Sequence, residues 1–324
     1  MVRKDTTTKL IIKDNESFAE VFNKFLFRKN FIDPNKLKER DTTELIAIAE
    51  KVIVEQKYRD VLKRAEVKVD DKFAYLLLGV ENHSEIHYAM VIRTMLYDAL
   101  NYSAQMMEIG KEVRKDSRTK YSEAEWIGGF PRDKKITPVI TLVLCWKPEK
   151  WDAPKSLYEM MEPSLVKKYG KWIDDYKLNL VSVYDLSDKE LASTKTNIGL
   201  AMEFAKYSNN KEKIKSYQND ERFEDLPNDF VATINEMAGT KFKLNSKGGT
   251  VNMCEGIRQM EEDAAKEAAK EATKVATKKA QDEAIKSVYE AMKIAHPEDS
   301  EAKTIKFLAK TFNRTQKAIR LLVL

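Results

Sequence analysis

The run LLLGVENHSEI, residues 76–86, closes an apolar stretch with a carboxylate, an amide and an imidazole: Glu81, Asn82 and His83. A strand that only filled a core would stop at turn residues, so polar side chains at its tip ask for a chemical role. Period-two alternation places Glu81 and His83 on one face. Asp60, in YRDVLKR, opens the preceding strand candidate. Two carboxylates on neighbouring strand ends can hold a hard divalent cation, which prefers oxygen ligands and keeps waters for a phosphate or a nucleophile. If the strands pair through the turn at Asp70-Asp71, Asp60 and Glu81 belong to one region of a sheet. A lone carboxylate at a buried strand end is costly unless it is paired or metal-bound.

The elements that must position these groups follow from hydrophobic periodicity. Phe18, Val21, Phe22, Phe25 and Leu26 recur at helical spacing behind Asn15 and Ser17 as cap candidates, predicting an amphipathic helix from about Glu16 to Phe27 that carries Glu20. Asp33-Pro34 signals a turn, and VIV at 52–54 and DVL at 60–62 are the strand fragments that follow. FAYLLLGVENH has too many consecutive apolar residues for a half-exposed strand and predicts one buried on both faces. From about Ile86 the period becomes helical. Val91, Met95, Ala99, Tyr102 and Met106 form one face, Arg93, Tyr97, Asn101 and Gln105 another, and Gly110 with the charged KEVRKDSRTK segment is expected to loosen or end the helix.

Such a polar stripe is usually a helix's solvated side, but its place directly after Glu81 also makes it a candidate for substrate contact. Glu85 and His87 are expected to precede or cap the helix. ITPVITLVLCW predicts a second central strand, with Pro138 near its start where a missing donor is tolerated, and LNLVSVYDL from Leu178 another. Helix, strands, helix, strand, strand describes a mixed α/β domain ending near residue 190.

Residues 187–238 read as mainly helical, until NSKGGT at 245–250 breaks the pattern. AAKEAAKEATKVATKKAQDEA then repeats the unit AAKE, the pattern of a semi-rigid helical spacer held by charge pairs four residues apart. Its alanines make a weak coiled-coil seam, and Pro297 ends it. Two short amphipathic segments, 301–312 and 316–324, flank Asn313-Arg314-Thr315. They have the layout of a helix-turn-helix without a glycine turn, and a modest basic face of Lys303, Lys306, Lys310, Arg314, Lys317 and Arg320; a packing hairpin is expected. The expected divisions are 1–190, a helical extension at 191–251, the long charged helix at 252–296 and the hairpin at 297–324.

Length and composition bound the function. A chain of 324 residues allows about two domains, and 43% hydrophobic residues suffice for a sizeable core. Charged residues reach 34% at a formal net charge of +5, which permits a nucleic-acid partner without demanding one. Cys145 and Cys254 are far apart with no second cysteine at metal or redox spacing, arguing against a disulfide framework or zinc site. No signal-peptide core and no stretch near the ~20 apolar residues of a membrane span is present, so a soluble cytoplasmic protein without a membrane partner is expected. Self-association into a homo-oligomer stays open.

Six segments in order, FAEVFNKFLF, YRDVLKR, LLLGVENHSEIHYAM, VIRTMLYDALNYSAQ, ITPVITLVLCW with WDAPKSLYEMM, and YKLNLVSVYDL, resemble the Rpn family of recombination-promoting nucleases and transposases, within the PD-(D/E)XK nuclease superfamily. The resemblance covers roughly residues 16–190, and NMCEGIRQMEED near 252 is similar to the family's C-terminal region. It implies a PD-(D/E)XK-like mixed sheet flanked by helices, and a DNA endonuclease dependent on Mg²⁺, with Mn²⁺ as an alternative. Asp60 matches the family's metal-binding Asp and Glu81 the Glu of its E-x-Q motif, while Glu20 sits where the superfamily's first helix can add a third acidic ligand. His83 stands where the family has Gln and the wider superfamily Lys, as the third catalytic position. Arg93, Tyr97 and Gln105 match residues that follow the motif and are expected to bind substrate. The His83 departure also allows another protein, a catalytically weakened nuclease fold that binds DNA or assembles with partners.

Overall fold

The computed structural model describes residues 9–40, 61–69 and 72–324. Asp60, the VIV fragment and the Asp70-Asp71 turn lie outside the described residues. Two compact units divide the chain, Met1–Ile257 and Arg258–Leu324.

In the first unit, Asp14 rather than Asn15 or Ser17 caps helix α1 (Asn15–Glu20), its carboxylate accepting from Ser17 N at 2.8 Å. Residues Val21–Phe27 continue it as a π-helix, which ends at Arg28 with φ 56°. Strands β1 (Leu37–Glu39), β2 (Val61–Val69), β3 (Lys72–His83), β4 (Val139–Cys145) and β5 (Asn179–Ser182) form one mixed sheet in that spatial order. The first three are antiparallel, and β3–β4 and β4–β5 are parallel. Parallel neighbours need a long crossover, and helix α2 (Met90–Lys115) lies within the one that joins β3 to β4.

Alternation divides the sheet. On one face Val61, Ala65, Leu78, Val80, Leu142 and Leu144 join Phe18, Val21, Phe22 and Phe25 in the main buried cluster. Helix α3 (Ile198–Tyr207) and helix α4 (Asn228–Ala238) give Met202, Phe204, Val231 and Ile234 to that same cluster, so the stretch expected as a helical extension shares the core of the sheet. The other face is smaller: Leu62, Leu77 and Val139 meet Tyr102 of α2, and Val143 and Cys145 meet Met90.

Helix α2 continues through Gly110 and ends at Lys115, within the charged KEVRKDSRTK segment expected to loosen or end it. That glycine admits the backbone of Gly129, whose Cβ position would lie 3.2 Å from Gly110 Cα. The helix differs from expectation in the way it faces: of the expected polar stripe Tyr97 and Asn101 are buried, together with Thr94 and Asp98, and Arg93 and Gln105 are half-buried, while Met95 and Met106 of the expected apolar face are exposed. The polar groups on that face of the sheet hold the polar side of the helix, an attraction that hydropathy periodicity does not register.

Lys63 is a charged exception on the apolar face. It is fully buried, and its ammonium donates to Lys13 O and to Asn15 Oδ1 at 2.7 Å and lies 4.9 Å from the Phe18 ring centroid. Burial lowers its pKa from the ordinary lysine value.

Helix α5 (Met253–Ala295) contains the Ala- and Lys-rich repeat, solvent-exposed and laced by pairs such as Lys266–Glu262 and Lys274–Glu271. In the second unit, Ile285 and Tyr289 of α5 share a buried cluster with Ile305 and Leu308 of α6 (Glu301–Thr311) and Ile319 of α7 (Gln316–Val323). Among the described residues no helix is long and apolar enough to cross a membrane.

Replacing Lys63 by Met keeps the volume but strands the two oxygens it serves. The expected loss is about 1–3 kcal/mol of folding stability, read from urea unfolding curves.

Candidate functional site

The site lies where β3 and β4 end, on the face covered by α2. Open α/β sheets place ligands at the carboxyl ends of parallel strands, and here those ends carry Glu81 beside Val143 and His83 beside Cys145 in register. Glu81 is fully buried and His83 9% exposed. Asn82 points to the opposite face and accepts from Trp146 Nε1 at 3.1 Å, while Trp146 N donates to His83 O at 2.8 Å, so the strand tip is held from both sides.

A buried carboxylate needs compensation for lost hydration. Arg93, from the first turn of α2, brings Nη2 to 3.5 Å from Glu81 Oε2, and His83 Nε2 lies 3.9 Å from the same oxygen. Arg93 Nε donates to Tyr97 Oη at 3.0 Å, one helical turn on, which fixes the guanidinium against the helix. The Arg93 side chain is 26% exposed, so this cation links the buried carboxylate to solvent.

A second carboxylate follows on the same helix. Asp98 Oδ1 accepts from Thr141 Oγ1 and Oδ2 from Tyr176 Oη, both at 2.6 Å. Asp98 was not among the sequence candidates; the available signal was a single acid between apolar neighbours in MLYDALNY. At the rim, Lys147 bonds Glu85 at 2.8 Å, which raises the lysine pKa, and Tyr88 Oη donates to both oxygens of Asp152 at 3.0 Å. Glu85 thus pairs across to Lys147, while the turn into α2 is made by His87 O accepting from Met90 N.

The structure brings together Glu81, His83, Arg93 and Tyr97, and places two other expected residues elsewhere. Gln105 clamps the backbone of Thr137 ahead of β4, donating to its carbonyl at 3.0 Å and accepting from its N–H at 2.6 Å. Glu20 stands on α1, whose buried residues pack on the other face of the sheet. Its carboxylate accepts from Lys195 N at 2.7 Å and from Thr196 N and Oγ1 at 2.9 and 2.7 Å, and it lines a separate cleft of about 800 Å³ with Asn23, Lys24 and Arg28. Those bonds make Glu20 a clasp for the loop ahead of α3. Asp60 immediately precedes Val61 in sequence and lies outside the described residues.

Among the described residues no group of three His, Cys, Asp or Glu side chains is placed to hold a metal ion. Mg²⁺, however, is commonly held by one or two carboxylates with waters and phosphate oxygens completing the shell. Glu81, at the tip of β3, is a hard oxygen donor of the type such a cation uses. No protein family, curated protein or solved structure matches this chain.

Arg93→Ala should cost about 2–4 kcal/mol of stability, because removing one partner of a buried pair exposes the other's desolvation penalty. Glu81→Gln combined with Arg93→Met should lose less than the sum of the single changes, measurable as a coupling energy in urea unfolding.

Proposed function

We propose that this chain is a metal-dependent DNA endonuclease that hydrolyses phosphodiester bonds. It belongs by this reading to the PD-(D/E)XK superfamily, in the manner of the Rpn family with its links to recombination and mobile elements. The observation that carries the reading is a fully buried Glu81 at the end of β3. It sits in a sheet whose β2–β3 hairpin, α2 crossover and parallel β4 follow the order expected of such a core. Val61, the residue after Asp60, is the register partner of Val80, the residue before Glu81, which supports Asp60 and Glu81 as the two carboxylate ligands of Mg²⁺ or Mn²⁺. When bound, such a cation supplies polarisation of the phosphodiester and a more acidic water.

The chain's own groups divide the remaining work. Arg93, planar, permanently charged and partly exposed, recognises a phosphate oxygen as a guanidinium does. Tyr97 keeps it oriented. His83, with no fixed charge when neutral, orients a water rather than stabilising developing negative charge. Both buried cysteines are free thiols, which suits a reducing cytoplasm.

A second reading is a catalytically weakened nuclease fold that binds DNA or assembles with partners. His83 in place of Gln or Lys favours it, and so does the Arg93 cation already seated against Glu81.

Cleavage of supercoiled plasmid by the purified chain in Mg²⁺, Mn²⁺ or chelator separates the two. The nuclease reading expects nicking that depends on metal and falls at least a hundredfold in Asp60→Ala and in Glu81→Gln, both folded by circular dichroism. Undiminished nicking in these variants would refute the assignment. A folded, metal-supplied wild type that binds DNA without nicking, together with activity gained in His83→Gln, would establish the weakened form.

A further inference from the structure

The second unit carries a feature that the reading of Glu81 does not use. Helices α6 and α7 are joined by four residues, Phe312 to Thr315, the turn length of a helix-turn-helix. The glycine missing from the sequence is replaced by Asn313, which adopts φ 50°. Asparagine is the side chain that tolerates the left-handed region best after glycine. Arg314 N closes the turn on Ala309 O at 2.9 Å, and Thr315 Oγ1 caps α7 by accepting from Ala318 N at 3.2 Å. Ile305, Leu308 and Ile319 lock both helices onto Ile285 and Tyr289 of α5, completing a three-helix core.

Charge is distributed unevenly over this unit. From 301 to 324 the sequence holds one acid, Glu301, and six basic residues. Arg314 is committed to structure, bonding Asp282 at 2.6 Å and Gln281 at 3.2 Å, and Lys303 pairs with Asp299. Lys306 and Lys310 of α6 and Gln316, Lys317 and Arg320 of α7 are exposed. In a helix-turn-helix the second helix enters the major groove while the first crosses the phosphate backbone. Those five side chains are of the types that serve the two roles, Gln and Arg for base edges and Lys for phosphates.

We propose that Arg258–Leu324 is a helix-turn-helix module that binds duplex DNA, with α7 as the groove-reading helix. The inference goes beyond the Glu81 reading and does not depend on it.

The test uses the full chain in chelator, so that cleavage plays no part. Fluorescence anisotropy follows its binding to a labelled mixed-sequence duplex of about 30 base pairs, across roughly 50–200 mM salt. Lys317→Ala with Arg320→Ala should weaken binding about tenfold or more and flatten the log–log salt slope by about two. Lys317→Arg with Arg320→Lys should retain most of it, and Lys306→Ala with Lys310→Ala, on the other helix, should also weaken binding. Unchanged helical circular dichroism checks the fold of each variant. Three results overturn the proposal: unaltered affinity in the α7 alanine pair, no duplex binding by the wild type, and tighter binding to a duplex RNA of the same sequence.

Discussion

A carboxylate that is entirely removed from water, at the end of a central strand, constrains most of the first unit. Glu81 cannot remain charged in that position without a nearby cation and polar neighbours. Arg93 supplies the cation at 3.5 Å. Arg93 in turn is steadied by Tyr97, and the following turn of the helix is tied to β4 by the bond between Asp98 and Thr141. Slipping α2 by one residue would remove the Glu81–Arg93 and Thr141–Asp98 pairings together. The polar contacts therefore fix the register of helix on sheet more sharply than the few apolar contacts on that face could.

The two faces of the sheet are covered in different ways. One is covered by aromatic and aliphatic groups from α1 and from the helices after residue 191, a continuous cluster whose burial is the main source of folding free energy. Among the described residues, the other has short apolar patches at Leu77 and at Val143, separated by polar side chains. Polar groups can be afforded there because the opposite face already supplies a core. Lys63 reverses the rule on the apolar side, and is satisfied by the oxygens of Lys13 and Asn15.

The C-terminal region is governed by local rules to a greater degree. Its long helix follows from alanine's propensity and from charge pairs one turn apart. The final hairpin needs tertiary support, since helices of eight and eleven residues are marginal alone; Ile305, Leu308 and Ile319 supply it.

The sequence by itself determined the elements of strongest periodicity: the strand ending in Glu81, the helix after it, the strand at Val139–Cys145, the long charged helix and its stop before Pro297. These are legible because apolar spacing and breaker residues act within a few positions of one another. Tertiary structure decided which way α2 faces. Hydropathy reads Arg93, Tyr97 and Asn101 as a solvated stripe, yet that side of the helix turns to the sheet, where Glu81 pairs with Arg93 and Thr141, distant in sequence, bonds Asp98. It also decided that Glu20 holds residues 195–196, a contact across 175 positions that no local pattern encodes. Asn313 in the left-handed turn belongs to the same class: the side chain permits that conformation, and only the packing of two helices on a third requires it.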